Sequence, residues 1–281
     1  MRIRYTITMP EEPNPFYATL SAYYDVLFPV EAAILSFLEN AFQKSRRILD
    51  VACGTGIYTI PLWEKGKEIV GVDLDSAMIQ QARQKLANRI ASRPSAPTLA
   101  SPTMGPPETR PSDTNPPELF LTEDMRVLSS FPDQSFDGIY CIGNSLPHLS
   151  TEEDIRTALK RFWELFKPGG TLLIQIVNFD RVTFRERPYH DLPPLEGRGA
   201  KLARRYTPGP DADHVYFETE LSAEGKTLRN RLPLYRLTNE RLTQALADAG
   251  FGSLSARGSY EGAAYDPSSS FLLIVTASRP D

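Results

Sequence analysis

The strongest constraint on this chain is the run Arg47-Ile48-Leu49-Asp50-Val51, followed directly by Ala52-Cys53-Gly54-Thr55-Gly56. A compact apolar stretch ended by glycines predicts a buried strand. Gly54 and Gly56 let the backbone turn tightly and approach a ligand with no Cβ in the way. Tyr58 to Lys65 then predicts a short helix stopped by Gly66. Pro61 is compatible with it, because N–H groups of a first turn lack helical partners anyway. Glu68 to Asp73 predicts a second strand, and Asp73 falls 17 residues after Gly56. An acid at a strand end can accept hydrogen bonds from both hydroxyls of a ribose. A glycine turn and an acidic strand end in a strand–helix–strand frame form a nucleoside-binding pair.

The rest of the chain extends that frame. Leu20, Tyr24 and Leu27, then Ile34, Leu35, Leu38 and Phe42, predict two short helices divided at Pro29. Ser76 is expected to cap a helix running to about Ile90. Leu119–Thr122 and Phe136–Ile142 predict strands, with a turn through Asp124 between them. Ser150 and Glu153 have capping-box spacing. The helix after them carries the stripe Ile155, Leu159, Phe162, Trp163 and Phe166 and stops at Pro168-Gly169-Gly170. Thr171–Val177 is a strongly apolar strand. Residues 180–199 are polar and loop-like, and Val215–Leu221 with Thr227–Leu237 predict a hairpin. A Thr238-capped helix ends at Gly250, and residues 253–259 and Phe271–Ala277 predict two last strands. Strands alternating with helices imply a parallel sheet covered on both faces.

Composition narrows the function. The 281 residues carry 31 basic and 35 acidic side chains, a net charge of −4. That balance argues against a long basic surface for nucleic acid. No apolar run approaches the ~20 residues of a membrane span, and the start of the chain lacks the order of a signal peptide, so a soluble cytoplasmic protein is expected. Two cysteines and three scattered histidines give no disulfide framework and no zinc-ligand spacing; no metal is expected. Eight of the 24 prolines fall in residues 93–118. That stretch has too little apolar surface to offset its ordering entropy and is expected to be an exposed insertion.

The glycine turn lacks the third glycine of a dinucleotide fingerprint at its expected place. Two cofactors remain, a dinucleotide or S-adenosylmethionine, and Asp50 and the helix–strand–strand ending favour the second. At Leu49-Asp50-Val51-Ala52-Cys53-Gly54-Thr55-Gly56, Gly71-Val72-Asp73-Leu74-Asp75-Ser76-Ala77-Met78 and Leu165-Phe166-Lys167-Pro168-Gly169-Gly170-Thr171-Leu172 the chain resembles the class I S-adenosylmethionine-dependent methyltransferases. The resemblance is close over roughly residues 20–180. It implies an α/β fold with a doubly wound, mostly parallel seven-stranded sheet, helices on both faces and an antiparallel last strand. Added to this are an N-terminal helical cap (1–45) and an inserted β-hairpin (200–237), all in one domain.

Roles follow from the resemblance, position by position. The backbone around Ala52, Gly54 and Gly56 lies against the methionine part of the cofactor. Asp73 holds the ribose, and Leu74 and Met78 pack on the adenine, with Met78 as plain core the competing view. Asp124 and Met125 meet the adenine amino group. Ile142 and Gly143 lie beside the sulfonium. Arg47 and Tyr24 are assigned to the cofactor carboxylate; a solvated charge at a strand start is the alternative for Arg47.

Cys141-Ile142-Gly143-Asn144-Ser145-Leu146-Pro147-His148-Leu149 is similar to the corresponding segment of glycine N-methyltransferase and its relatives. The resemblance gives Asn144 the substrate amine, with His148 one short turn beyond. In that family an arginine just before the Asn-(aromatic)-Asp segment holds the substrate carboxylate; here the position is Val177, and glycine itself becomes doubtful. Arg181, Arg185 and Arg187 follow in the next loop. The implied function is methyl transfer to a small-molecule amine by in-line displacement, with Asn144 orienting the nitrogen. An O-methyltransferase using His148 as base is the alternative, and a non-catalytic S-adenosylmethionine-binding protein is a third class. No nucleic-acid or membrane partner is implied. The hairpin edge is open to a second copy of the chain or to covering the site.

Overall fold

The computed structural model describes residues 15–92, 118–181 and 190–280. The helical cap is α1 (Pro15–Leu27) and α2 (Ala32–Ala41), separated at Pro29. The main sheet is built from β1 (Arg47–Val51), β2 (Glu68–Asp73), β3 (Phe120–Thr122), β4 (Phe136–Cys141) and β5 (Phe166–Val177). The last two strands, β10 (Gly252–Arg257) and β11 (Leu272–Ser278), complete it. Its order is β10-β11-β5-β4-β1-β2-β3. β1 pairs in parallel with both β2 and β4, and β11 runs antiparallel to β5. The expected seven-stranded, doubly wound sheet is therefore present. Three helices connect its strands: α3 (Thr59–Glu64), α4 (Ser76–Ala91) and α5 (Glu152–Leu165). α6 (Asn239–Asp248) leads into β10.

The strand order reverses at β1, whose neighbours are β2 on one side and β4 on the other. In open α/β sheets that reversal opens a crevice at the carboxyl ends of the strands. Ile48, Leu49 and Val51 are fully buried, as their run predicts. Ile155, Ala158, Leu159, Phe162 and Leu165 bury one stripe of α5 against the sheet.

Several local expectations are corrected. Asp75, not Ser76, caps α4; its carboxylate accepts from the N–H groups of Ala77 and Met78 at 2.9 and 3.0 Å. Thr151, not Ser150, caps α5 by accepting from Asp154 N–H, while Ser150 turns the chain at φ +33°. Both shifts are by one residue, because a neighbouring side chain also supplies the capping oxygen. Phe166 ends the helical stripe and already belongs to β5, still buried. The Thr238 cap stands: its hydroxyl accepts from Arg241 N–H.

The largest correction concerns the expected hairpin. It is half of a separate four-stranded antiparallel sheet, β6 (His190–Gly197), β7 (Ala200–Pro208), β8 (His214–Ala223) and β9 (Lys226–Tyr235). β6 occupies much of the stretch expected as loop. Its sequence, His-Asp-Leu-Pro-Pro-Leu-Glu-Gly, is poor in strand formers, and its register slips between Leu192 and Leu195. Proline is tolerated there because β6 is an edge strand. Residues 93–117 of the proline-rich stretch, and Arg185 and Arg187, lie outside the described residues. No single helix among the described residues is long and apolar enough to cross a membrane.

Candidate functional site

The site forms where β1, β2 and β4 end. Ala52, Gly54 and Gly56 all have positive φ, +60°, +55° and +71°, so the backbone after β1 curls back on itself. The two glycines do different work. A Cβ on Gly54 would stand at ordinary van der Waals distance, 3.8 Å, from the Tyr24 ring, so α1 covers this part of the turn through Tyr24. A Cβ on Gly56 would come within 2.5 Å of the Phe120 ring. At Gly56 packing against β3 is therefore what excludes a side chain.

Asp73 ends β2 beside this turn. Its carboxylate accepts from Gly54 N–H at 2.8 Å and from Asp75 N–H at 2.9 Å. Burial pushes its pKa up to about 6, against the lowering effect of those amides. Leu74, beside it, is 39% exposed and presents an uncovered apolar side chain. Met78 is buried among Phe16, Leu20 and Leu27 of the cap, so its place is core. Asp124 lies at the turn after β3 and is held by Arg126, which also reaches Asp154; these bonds keep its carboxyl below the usual range despite partial burial. Met125 packs at the edge of the main core.

Asp50 is turned into the protein. Its carboxylate accepts from Thr59 Oγ1 at 2.5 Å and Tyr140 Oη at 2.7 Å, tying β1 to α3 and β4. Arg47 is a correction. It opens β1 at the amino end, opposite the glycine turn, and pairs with Glu68 at 3.2 Å while lying over the Phe136 ring. It lies four residues before Val51, the last residue of the strand, roughly 13 Å away at the usual rise, so it serves the far end of the sheet. Tyr24, in contrast, is at the glycine-turn end of the sheet, over Gly54.

The segment after β4 forms the other wall. Ile142 is partly buried against the second face of the sheet. Gly143 has φ +78° and donates its N–H to Gln175 Oε1 at 2.8 Å. Asn144 also has positive φ, +65°. Its carbonyl accepts from Val177 N–H at 2.9 Å and its amide donates to Tyr206 Oη at 3.5 Å. The side-chain carbonyl expected to hold an amine is therefore already engaged in joining β4 to β5, with one lone pair left. His148 sits on a 3-10 turn, Leu146–Leu149. Burial alone pushes its imidazole down to about 4, so it is neutral at pH 7 and a weak base.

Some participants were not singled out from the sequence. Gln175 interrupts the apolar run of β5; it is 6% exposed and accepts from both Gly143 N–H and Tyr260 Oη. A lone polar residue in a buried strand was the available signal. Tyr206, on β7, meets Asn144 through its hydroxyl. Asp25 accepts from Thr55 Oγ1 and Lys85 Nζ, fastening α1 to the glycine turn and to α4. The Asn178-Phe179-Asp180 segment is structural: Asn178 Nδ2 donates to carbonyls of Pro267 and Ser270, and Asp180 accepts from Tyr265 Oη and Asn239 N–H.

With that geometry in place, comparison with known proteins is informative. Residues 49–174 match the family model described as a methyltransferase domain. Residues 49–174 are a methyltransferase domain, and the fold is that of S-adenosylmethionine-dependent methyltransferases. Glycine N-methyltransferase of Mus musculus is 34% identical over 140 residues, 48% of this chain and 42% of that enzyme. The chain spans less than half the length of the curated relatives it matches first. Among solved structures, an S-adenosylmethionine-dependent methyltransferase from Clostridium acetobutylicum has a TM-score of 0.71 at 17% identity, covering 95% of this chain and all of that one. The sugar N-methyltransferase KedS8 from Streptoalloteichus has a TM-score of 0.63 at 19% identity, covering 100% and 99%. These two share the fold.

S-adenosylmethionine is the cofactor of this class, and the residues of this methyltransferase domain fit it. The backbone at Gly54 carries no side chain beneath the Tyr24 ring, and Asp73 offers carboxylate oxygens at the strand end.

Proposed function

We propose that this domain methylates the nitrogen of a small-molecule amine. The observation that carries this is the state of two titratable groups, one in β1 and one in the segment after β4. His148 is neutral and weakly basic, and Asp50 is buried beneath Thr59 and Tyr140. Removing a proton from a hydroxyl acceptor calls for a base with a pKa near the working pH, and His148 does not meet that need. An amine presents its lone pair once it is neutral, so it needs alignment more than proton abstraction.

Bound S-adenosylmethionine supplies an electrophilic methyl group. The chain's residues then have three tasks. Asp73 fixes the ribose end, and the absence of a side chain at Gly54 lets the cofactor lie close to the backbone. Asn144, rigid between Val177 and Tyr206, and the His148 imidazole present acceptor atoms to an amine N–H. The cap over Gly54, through Tyr24, limits water. Holding the two reactants in line is worth several kcal/mol of barrier. The names of the glycine and sugar N-methyltransferases lend the amine class further support.

A panel of amine and hydroxyl metabolites, read by S-adenosylhomocysteine release and product mass, tests this. N-methyl product from at least one amine is expected. His148→Asn should keep activity within about tenfold, with a pH–rate profile set by the amine alone. Turnover confined to hydroxyl acceptors and abolished by His148→Asn would overturn the proposal.

A further inference from the structure

The four-stranded sheet turns one face toward the cap and the strand ends, and that face is apolar in rows. Leu202, Leu221 and Leu228 are cross-strand neighbours in one row, packed against α1. Tyr206, Phe217 and Leu232 form another row four residues along. Between them lies a single polar row, Arg204, Thr219 and Asn230. Polar groups on an inward face normally have partners, because an unpaired buried donor costs roughly 1–3 kcal/mol.

Two of the three hold a buried polar atom without one. Arg204 Nε and Thr219 Oγ1 are both buried with no hydrogen-bond partner. Among the described residues, Arg204 makes one hydrogen bond, from Nη2 to the Pro193 carbonyl at 3.1 Å. The other arginines of β7 to β9 are all matched to carboxylates: Arg205 and Arg231 to Glu218, and Arg229 to Glu220. Arg204 has none. Asn230 is joined by the Tyr17 hydroxyl.

The position of Arg204 connects this row to the site. Its guanidinium lies over the Phe28 ring, 5.6 Å from the centroid. Phe28 stacks on Tyr24 with ring centroids 4.8 Å apart, and Tyr24 covers Gly54. On the other side Tyr206, two residues on and facing the same way, meets Asn144. The sequence of contacts Gly54–Tyr24–Phe28–Arg204–Tyr206–Asn144 thus runs around the space beyond the ends of β1 and β4. One cation without a carboxylate partner sits in that boundary.

We propose that Arg204, supported by Thr219, binds a carboxylate on the methyl acceptor. A guanidinium presents fixed donors that suit two-oxygen anions, and such pairs are charge-assisted. The acceptor class is then an amine that also carries a carboxylate. This rests on the amine reading of the same site and adds the anionic group.

The test uses the full chain saturated with S-adenosylhomocysteine and titrated calorimetrically. The probes are glycine, β-alanine and 4-aminobutyrate, each beside its own carboxamide. At least one amino acid should bind tenfold or more tightly than its carboxamide. Arg204→Gln should bring that ratio to within twofold of one by weakening the acid alone, and Arg204→Lys should restore part of it. Circular dichroism and S-adenosylhomocysteine affinity should stay unchanged in both variants. Carboxamides binding as well as acids would overturn the assignment while leaving N-methylation intact. Tenfold weaker S-adenosylhomocysteine binding by Arg204→Gln would also overturn it, by giving the guanidinium to the cofactor's own carboxylate. Binding of none of the six probes overturns it as well. Turnover of hydroxyl acceptors alone would remove the amine reading itself.

Discussion

At the scale of single residues, Asp73 and Gly54 are the clearest pair. In the structure the carboxylate leans on the Gly54 amide, so it is held in place and desolvated at the strand end. Charge-assisted hydrogen bonds contribute roughly 1.5–3 kcal/mol each. Loss of two to the ribose hydroxyls corresponds to about a 10²-fold or greater loss of affinity. Asp73→Ala is therefore expected to weaken S-adenosylmethionine binding by about that factor in calorimetry, with far-UV dichroism unchanged. An unaltered dissociation constant would remove Asp73 from the site. Both residues were legible in the sequence, because turn glycines and an acidic strand end carry their meaning in their spacing. Arg47 was not. Its charge looked available, and only the strand's direction places it at the wrong end of β1, against Glu68.

At the scale of elements, the cap helix α1 is fastened where it matters. Asp25 accepts from Thr55 in the glycine turn and from Lys85 on α4, while Tyr24 covers Gly54. Asp25 is 42% exposed and Lys85 26%, so the ion pair itself adds little to global stability. Its effect should be kinetic. Asp25→Asn is expected to speed S-adenosylhomocysteine release about three- to tenfold in stopped flow, while the melting temperature shifts by only about 2 °C. An unchanged release rate would mean that α1 stays closed without this contact. The sequence indicated α1 as a helix, but its partners lie 30 and 60 residues away, a separation no local pattern encodes. The small sheet is the same case. β8 and β9 alternate clearly enough to be found, whereas β6, with two prolines, becomes a strand only because β7 pairs with it.

At the scale of the whole molecule, Asp50 links stability to pH. It ties β1, α3 and β4 together, and burial pushes its carboxyl up to about 7 despite two hydroxyl donors. The folded pKa lies above the unfolded value of ~3.9. Its contribution to stability is therefore complete below that value and is lost as pH rises through about 7. Asp50→Asn keeps an acceptor oxygen for Thr59 and Tyr140 without the charge. Relative to the parent chain it should be more favourable at pH 8 than at pH 5, read from denaturant midpoints. An equal change at both pH values would count against the buried charge. His148 acts in the opposite direction, since a folded value near 4 makes its contribution fade as pH falls below ~6.5. The difference between the two chains isolates Asp50.

The sequence by itself determined the sheet and the cofactor turn. Period, glycines and the acid at Asp73 act over a few residues, and backbone sterics then leave one strand–turn–helix solution. Tertiary structure alone decided what surrounds the acceptor. Asn144 is committed to Val177 and Tyr206, His148 is neutral because of what covers it, and Arg204 stands unmatched on an inward face of the second sheet. Each of these facts depends on desolvation and on partners brought from distant parts of the chain. Burial sets whether a polar side chain is charged, satisfied or available, and burial is a property of the packed molecule.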